Sequence, residues 1–169
     1  MTVRTTPQII CDILKEGLDL CDDQIWIGNQ RRSIPEDKRL YVVVSLLTMT
    51  PYGNNARISE SGSGLSQELT QYMSETITVD LLSYTTEAQE RYSEILAALA
   101  SQYSQGLQEE QALRIFPIPS SMVDVSMVEG AARIFRIAIT FTVFRKYEKI
   151  LSAPYYDLIT PGYIALTDK

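Results

Sequence analysis

Between Ser74 and Tyr103 the chain spells out a strand that runs into a helix, SETITVDLLSYTTEAQERYSEILAALASQY. Ile77, Val79 and Leu81 alternate with Thr76, Thr78 and Asp80, the period-2 signature of a half-buried strand. Ser83, Thr85 and Thr86 then supply hydroxyls suited to an N-cap. Thr86-Glu87-Ala88-Gln89 fits a capping box, in which the Gln side chain reaches back to the cap amide. Ala88, Tyr92, Ile95, Leu96, Leu99 and Tyr103 recur at helical spacing, which predicts one helix over 86–103 with a single apolar stripe. A strand and a helix with one apolar face each must bury those faces together, so the chain is constrained to a helix packed on a sheet.

The remaining segments extend that frame. Thr6-Pro7 marks a helix start, Ile9, Ile10, Ile13 and Leu14 form its stripe, and Gly17 reads as its stop. Ile25-Trp26-Ile27 reads as a short strand or a buried loop, and QRRSIPEDK over 30–38 as an exposed connection. Leu40 to Thr48 is apolar on both faces, as a central strand covered on both sides would be. Arg133 to Tyr147 is the strongest strand pattern, with Phe135, Ile137, Ile139, Phe141 and Val143 on one face. At about 3.3 Å per residue it is longer than a small sheet is wide, so one end must overhang or bend. Val123, Val125 and Met127 alternate weakly. These elements define an α+β fold, a mostly antiparallel sheet with flanking helices. One domain over 1–169 is expected, with a long loop at 50–73 and a C-terminal arm at 150–169. The loop is rich in Gly, Ser, Asn and Gln and reads either as a hairpin tip without a core or as a segment that orders against a partner.

Composition narrows the chemistry. The 169 residues include no histidine, which excludes histidine general acid–base catalysis, His-containing metal sites and the usual nucleophilic triads. A net charge of −6 argues against a sequence-independent grip on phosphates. No apolar run approaches the length that spans a bilayer, and the N-terminal residues lack a signal-peptide core, so no membrane is expected. Cys11 and Cys21 read as two free thiols. Asp19, Asp22 and Asp23 form the densest acidic cluster, but their spacing is not that of an EF-hand and fits a solvated turn better than a cation site. The same reading applies to Glu109-Glu110, while Asp80 on the polar side of its strand is suited to accept hydrogen bonds from a turn or an arginine. No catalytic, cofactor-binding or metal residue is assigned, and no enzyme activity or cofactor is expected. The ten tyrosines carry more information. Tyr92 and Tyr103 fall on the helix stripe and read as core. Tyr52, Tyr72, Tyr155, Tyr156 and Tyr163 fall in irregular segments where a large ring with a polar tip suits an interface. Arg57 joins them as a candidate contact.

The order of segments resembles the neck and tail-terminator (tail-completion) proteins of tailed bacteriophages. The residues that carry it are Gln30 to Pro35, the strand Tyr41-Val42-Val43-Val44-Ser45, the insert after it and Glu75-Thr76-Ile77-Thr78-Val79-Asp80-Leu81-Leu82-Ser83 with its helix from Ala88. The segment Phe116 to Ser126 and the strand Arg133 to Phe144 complete it. The resemblance spans about Gln30 to Tyr147 and implies a structural virion protein, assembled in the host cytoplasm into a ring, hexameric in relatives. Such a ring caps the tail tube, ends its polymerisation and forms the surface that joins the head. Implied partners are further copies of the chain, the tail tube protein and neck or head-completion proteins, with DNA passing through the lumen without specific binding. A head–tail adaptor or another neck ring protein fits the same pattern. A small α+β ligand-binding domain using Asp80, Asp124 or Asp22-Asp23 is the reading from a different class.

Overall fold

The computed structural model of the protein describes residues 4–28, 34–61, 64–119, 122–129 and 132–152. In chain order these form α1 (Thr6–Leu18), β1 (Ile25–Ile27), β2 (Tyr41–Ser61), β3 (Gly64–Ser83), α2 (Glu87–Ala100), α3 (Gln102–Glu110), β4 (Leu113–Ile115), β5 (Val123–Asp124), β6 (Met127–Glu129) and β7 (Ala132–Ser152). The sheet order is β1-β2-β3-β7-β4, with β5 and β6 also paired to β7. Among the described residues only β1 and β2 run parallel. The class is therefore α+β, a mostly antiparallel sheet with helices against one face.

The alternation read from the sequence sets that face. Ile77, Val79 and Leu81 of β3 and Ile139 and Val143 of β7 are fully buried, and Ile137 and Phe141 nearly so. They meet Val42 and Val44 of β2 and the stripes of α1 (Ile9, Ile10, Ile13, Leu14) and α2 (Ala88, Ile95, Leu99) in one cluster. The opposite face carries a smaller cluster of Trp26, Tyr41 and Leu82. β2 is thus apolar on both faces near Tyr41, as its sequence predicts, but Leu47 is already 58% exposed.

Local signals in the helices moved by a few residues. The capping box forms at α1, where the Thr5 amide donates to Gln8 Oε1 at 2.7 Å. At α2 the expected box is absent: Thr86 already has helical backbone, and its hydroxyl donates to Glu90 Oε1 at 2.7 Å. Gly17 does not stop α1, which continues to Leu18 and turns at Asp19, held at φ 53°. Gly17 instead sits where a Cβ would collide with Ala98, so it lets α1 and α2 approach closely. The single helix expected over 86–103 is two. Ser101 leaves the helical conformation (φ −65°, ψ 158°) and its side chain caps α3 by accepting from the Ser104 amide at 3.1 Å. The turn carries Tyr103 off the stripe and leaves it 46% exposed, whereas Tyr92 packs against the core.

The largest departure concerns 50–73. These residues are strand, not loop: β2 and β3 pair from Tyr41↔Leu82 out to Ser61↔Gly64. β7 follows β3 along the same length, from Phe135↔Ser83 to Ser152↔Ser66, so Ile150, Leu151 and Ser152 belong to this strand and not to a C-terminal arm. The rest of the expected arm, 153–169, lies outside the described residues. β2, β3 and β7 run for 21, 20 and 21 residues, far beyond the helices, so the expected overhang is real. Past Glu75 and its partner Val143 the three strands continue as a projecting β-arm about 30 Å long, at roughly 3.3 Å per residue, and the β2–β3 hairpin runs slightly further.

Candidate interaction surface

The arm is fixed to the body by a buried polar cluster. Arg145 is 4% exposed and Glu75 1%. The Arg145 guanidinium donates to Thr6 Oγ1 at 3.0 Å and to the Arg4 carbonyl at 2.6 Å, tying the start of α1 to β7. It also lies over the Tyr147 ring, 4.9 Å from its centre. The Tyr147 hydroxyl donates to Glu75 Oε1 at 2.6 Å. Burial, and then that bond to the carboxylate, push the phenol above its ordinary pKa. On the opposite face Arg136 Nε donates to Asp80 at 2.9 Å, so Asp80 finds the arginine its position suggested.

Two bulges in β2 decide which side chains the arm displays. The register shifts between Leu46 and Thr48 and again between Pro51 and Gly53. Each inserts one residue and moves the alternation by one. The positions facing the helix side therefore run Val42, Val44 and Leu46, then Met49 and Pro51, then Asn54, Ala56 and Ile58, opposite the odd-numbered residues of β3. Beyond the body this face carries Met49, Met73, Leu69 and Tyr147 around a groove of about 500 Å³, with Gln71 and Lys149 at its polar margin. Ile58, 63% exposed, and Leu151 extend it toward the tip.

The other face holds the predicted aromatic contacts. Tyr52 is the extra residue of the second bulge and is 57% exposed. Its ring stacks obliquely on Tyr72 at 6.0 Å and meets Phe144 edge-on at 5.6 Å. Arg57 is exposed and lies directly across from Glu68, which in turn is opposite Ile150, itself 75% exposed. Tyr52, Arg57 and Tyr72 are thus brought onto one face of one arm. Tyr155, Tyr156 and Tyr163 lie outside the described residues. Phe144 falls on the face away from the core, as its sequence position predicts, whereas Met49, Met73 and Ile150 were missed as surface groups because 50–73 and 150–169 read as loop and arm, not strand, and because the bulges shift the faces of β2.

A second apolar patch lies at the far edge of the sheet, where Phe116 and Val123 are each 59% exposed and Ile118 37%. It borders a cleft of about 520 Å³ between α2, α3 and β4. The acidic cluster does not converge. Asp22 pairs with Lys15, and Asp23 with Arg39 at 2.9 Å, while Asp37 is held below its ordinary pKa by hydrogen bonds from Arg39 and then Tyr41. Asp124 lies elsewhere, accepting from Gln89 at 3.0 Å and from the Ser126 amide at 2.9 Å. Among the described residues no group of three His, Cys, Asp or Glu side chains is placed to hold a metal ion.

These features define an α+β protein that extends a three-stranded arm with apolar side chains in water on both faces. No protein-family model matches the chain, and no curated protein is similar to it.

Proposed function

We propose that the protein is a structural virion component of a tailed bacteriophage. It forms a homo-oligomeric ring, hexameric as in the family it resembles, that caps the tail tube and presents the surface to which the head joins. The observation that carries the reading is the projecting arm. Three strands with exposed apolar groups on both faces lack the cover that a small sheet needs, and contiguous exposed apolar surface marks contact with other protein. The second patch, around Phe116 and Val123, lies at a different edge of the sheet. Two unlike adhesive surfaces on one chain are what a heterologous contact requires, and a heterologous contact that closes makes a ring. In this reading Tyr52, Arg57 and Tyr72 make the subunit or tube contact, and the protein works without a catalytic group or cofactor.

Sedimentation velocity and negative-stain imaging, with and without tail tubes, test the proposal. Rings, in solution or on tube ends, are expected. A protein that stays monomeric and leaves tube length unchanged overturns it. Removing the gene product separates the terminator from the runner-up, a head–tail adaptor or other neck ring. Overlong tails mark the terminator, and tails of normal length unattached to heads mark the adaptor.

A further inference from the structure

Two edges of the sheet have no strand beside them among the described residues. β1 lies against β2 only from Val42 to Val44, whereas β2 runs on to Ser61. β4 pairs with β7 on one side, and its other side meets the cleft of about 520 Å³ between α2, α3 and β4. We propose that these edges join between copies of the chain: β2 at Asn54 to Ile58 of one copy adds to β4 of the next as an antiparallel strand. The inference takes from the proposed function that the chain assembles with copies of itself, and it names the contact.

The main-chain groups of both edges are aimed for it. The Phe116 amide donates to the Thr142 carbonyl at 3.4 Å and the Lys146 amide to the Ala112 carbonyl at 3.1 Å. Ala112, Arg114 and Phe116 therefore bond toward β7, and Leu113 and Ile115 turn their amides and carbonyls outward. The Ile115 amide shows this directly, since it donates to Gln108 Oε1 at 2.9 Å. That carboxamide, fixed by its own bond to Ser104 Oγ at 2.9 Å, stands where the carbonyl of an added strand would be. In β2 the Val42 amide donates to the Gln24 carbonyl and the Val44 carbonyl accepts from Gly28, so these two residues face outward. Each bulge moves the alternation by one, and beyond the second it is Asn54, Ala56 and Ile58 that face outward. This stretch lies past both bulges and Pro51 and is the regular part of the edge.

Strand direction and side chains select the partner and the register. β2 and β4 run in opposite directions at opposite sides of one sheet. A second copy set beside the first, same face up, therefore brings its β2 antiparallel to β4, which is a heterologous contact. Pairing Ala56 with Ile115 would oppose Arg57 to Arg114, two like charges. Pairing Asn54 with Ile115 would put an amide in the apolar cleft. Pairing Ile58 with Ile115 sets the exposed Ile58 against Leu99, Leu113 and Ile115, and opposes Arg57 to Phe116, whose 59% exposed ring can take a cation on its face. Ile58 is level with Leu151 of β7 and Ile115 with Val143, so joined copies are offset by about 26 Å at 3.3 Å per residue. Each arm then lies along the body of its neighbour, and a stagger between joined edges allows closure where strands tilt about the axis.

Cross-strand disulfides test the contact. In a Cys21→Ser background, the full-length chain carrying Arg57→Cys and Phe116→Cys is oxidised with and without tail tubes. Residues opposed in a non-hydrogen-bonded pair lie within disulfide reach. Covalent oligomers are expected, and none from Glu68→Cys with Phe116→Cys, because Glu68 lies one strand further in on the same face. No covalent oligomers, or equal amounts from the Glu68 pair, overturn the inference. Ile58→Pro is an independent variant. The Ile58 amide points away from β3, so proline there spares the bonding within the arm and blocks only an added strand. Loss of assembly in sedimentation with an unchanged thermal midpoint is expected, and wild-type assembly overturns the inference. Rings that form without the disulfide sink this contact and leave the proposed function standing. Covalent open chains that never close keep the strand contact and overturn the ring.

Discussion

Cys11 and Cys21 show how far one residue's setting departs from its type. Cys11 packs against the core beside the stripe of α1, and burial pushes its thiol up to about 12, while Cys21 is exposed. The thiolate is the reactive form, so a native protein at pH 8 should react with one equivalent of a thiol reagent, at Cys21, and with two after denaturation. Two fast equivalents in the native state would contradict the packing. The same shift has a sign in stability. The folded chain holds the Cys11 proton above its ordinary value of 9.0, so the stabilising contribution is whole below pH 9 and is lost as pH rises toward 12. Urea midpoints measured across that window should fall, and Cys11→Ala should flatten part of the slope. Gly17 is the second case. Its place between α1 and α2 means that Gly17→Ala gains helix propensity of roughly 1 kcal/mol but forces the helices apart. Overpacking typically costs about 1–3 kcal/mol, so net destabilisation is expected in chemical unfolding.

Among the elements, the apolar stripe of α2 and the Ile77–Leu81 part of β3 behave as their sequences specify. Leu99 is fully buried at the junction of α2 with the sheet, and Leu99→Ala should lower the unfolding free energy by about 2–5 kcal/mol. A loss below about 1 kcal/mol would place the stripe outside the core. The arm is a different kind of element. Its ladder hydrogen bonds are continuous with those of the body, but helices cover only the body. Native-state hydrogen exchange should therefore be slowest at Ile77 to Leu81 and Ile137 to Val143. It should be faster at Asn54 to Ile58, on β2's outer side, where β1 has ended. Equal protection along β2 would mean that something covers that edge in solution. The two bulges and Pro51 also make the edge a poor template for indiscriminate strand addition, since each interrupts the row of ladder groups.

Across the molecule, the sheet holds two adhesive regions apart. The arm is an extension of β2, β3 and β7, and the Phe116–Val123 patch borders the β4 and β5 side. If the chain closes into a ring through these regions, Tyr52→Ala should remove the ring that packs on Tyr72 and Phe144 and shift sedimentation toward monomer, with little change in thermal midpoint. Phe116→Asp should do the same from the other side. Mixing the two variants restores at most single contacts, so neither variant should rescue the other into complete rings. Full rings from the mixture would show that the contact is not between these two surfaces.

Apolar periodicity was enough to specify the buried faces. Ile77, Val79 and Leu81, the odd positions from Ile137 to Val143, and the stripes of α1 and α2 were legible because apolar side chains repeat at the period of the element that buries them. The α+β class came with them. The arm was not legible, and the reason is physical. Its strands are held by main-chain hydrogen bonds between segments far apart in sequence. With both faces in water they need no apolar alternation, and the two bulges scramble what alternation there is. Asn54, Asn55 and Gly53 therefore read as loop residues while their backbones form a ladder. The turn at Ser101 was hidden for a related reason, since the helical period continues through it and the packing of α3 against β4 bends the chain away. That Tyr52, Arg57 and Tyr72 share one face is likewise a product of long-range pairing. Strand register depends on partners that no single segment specifies.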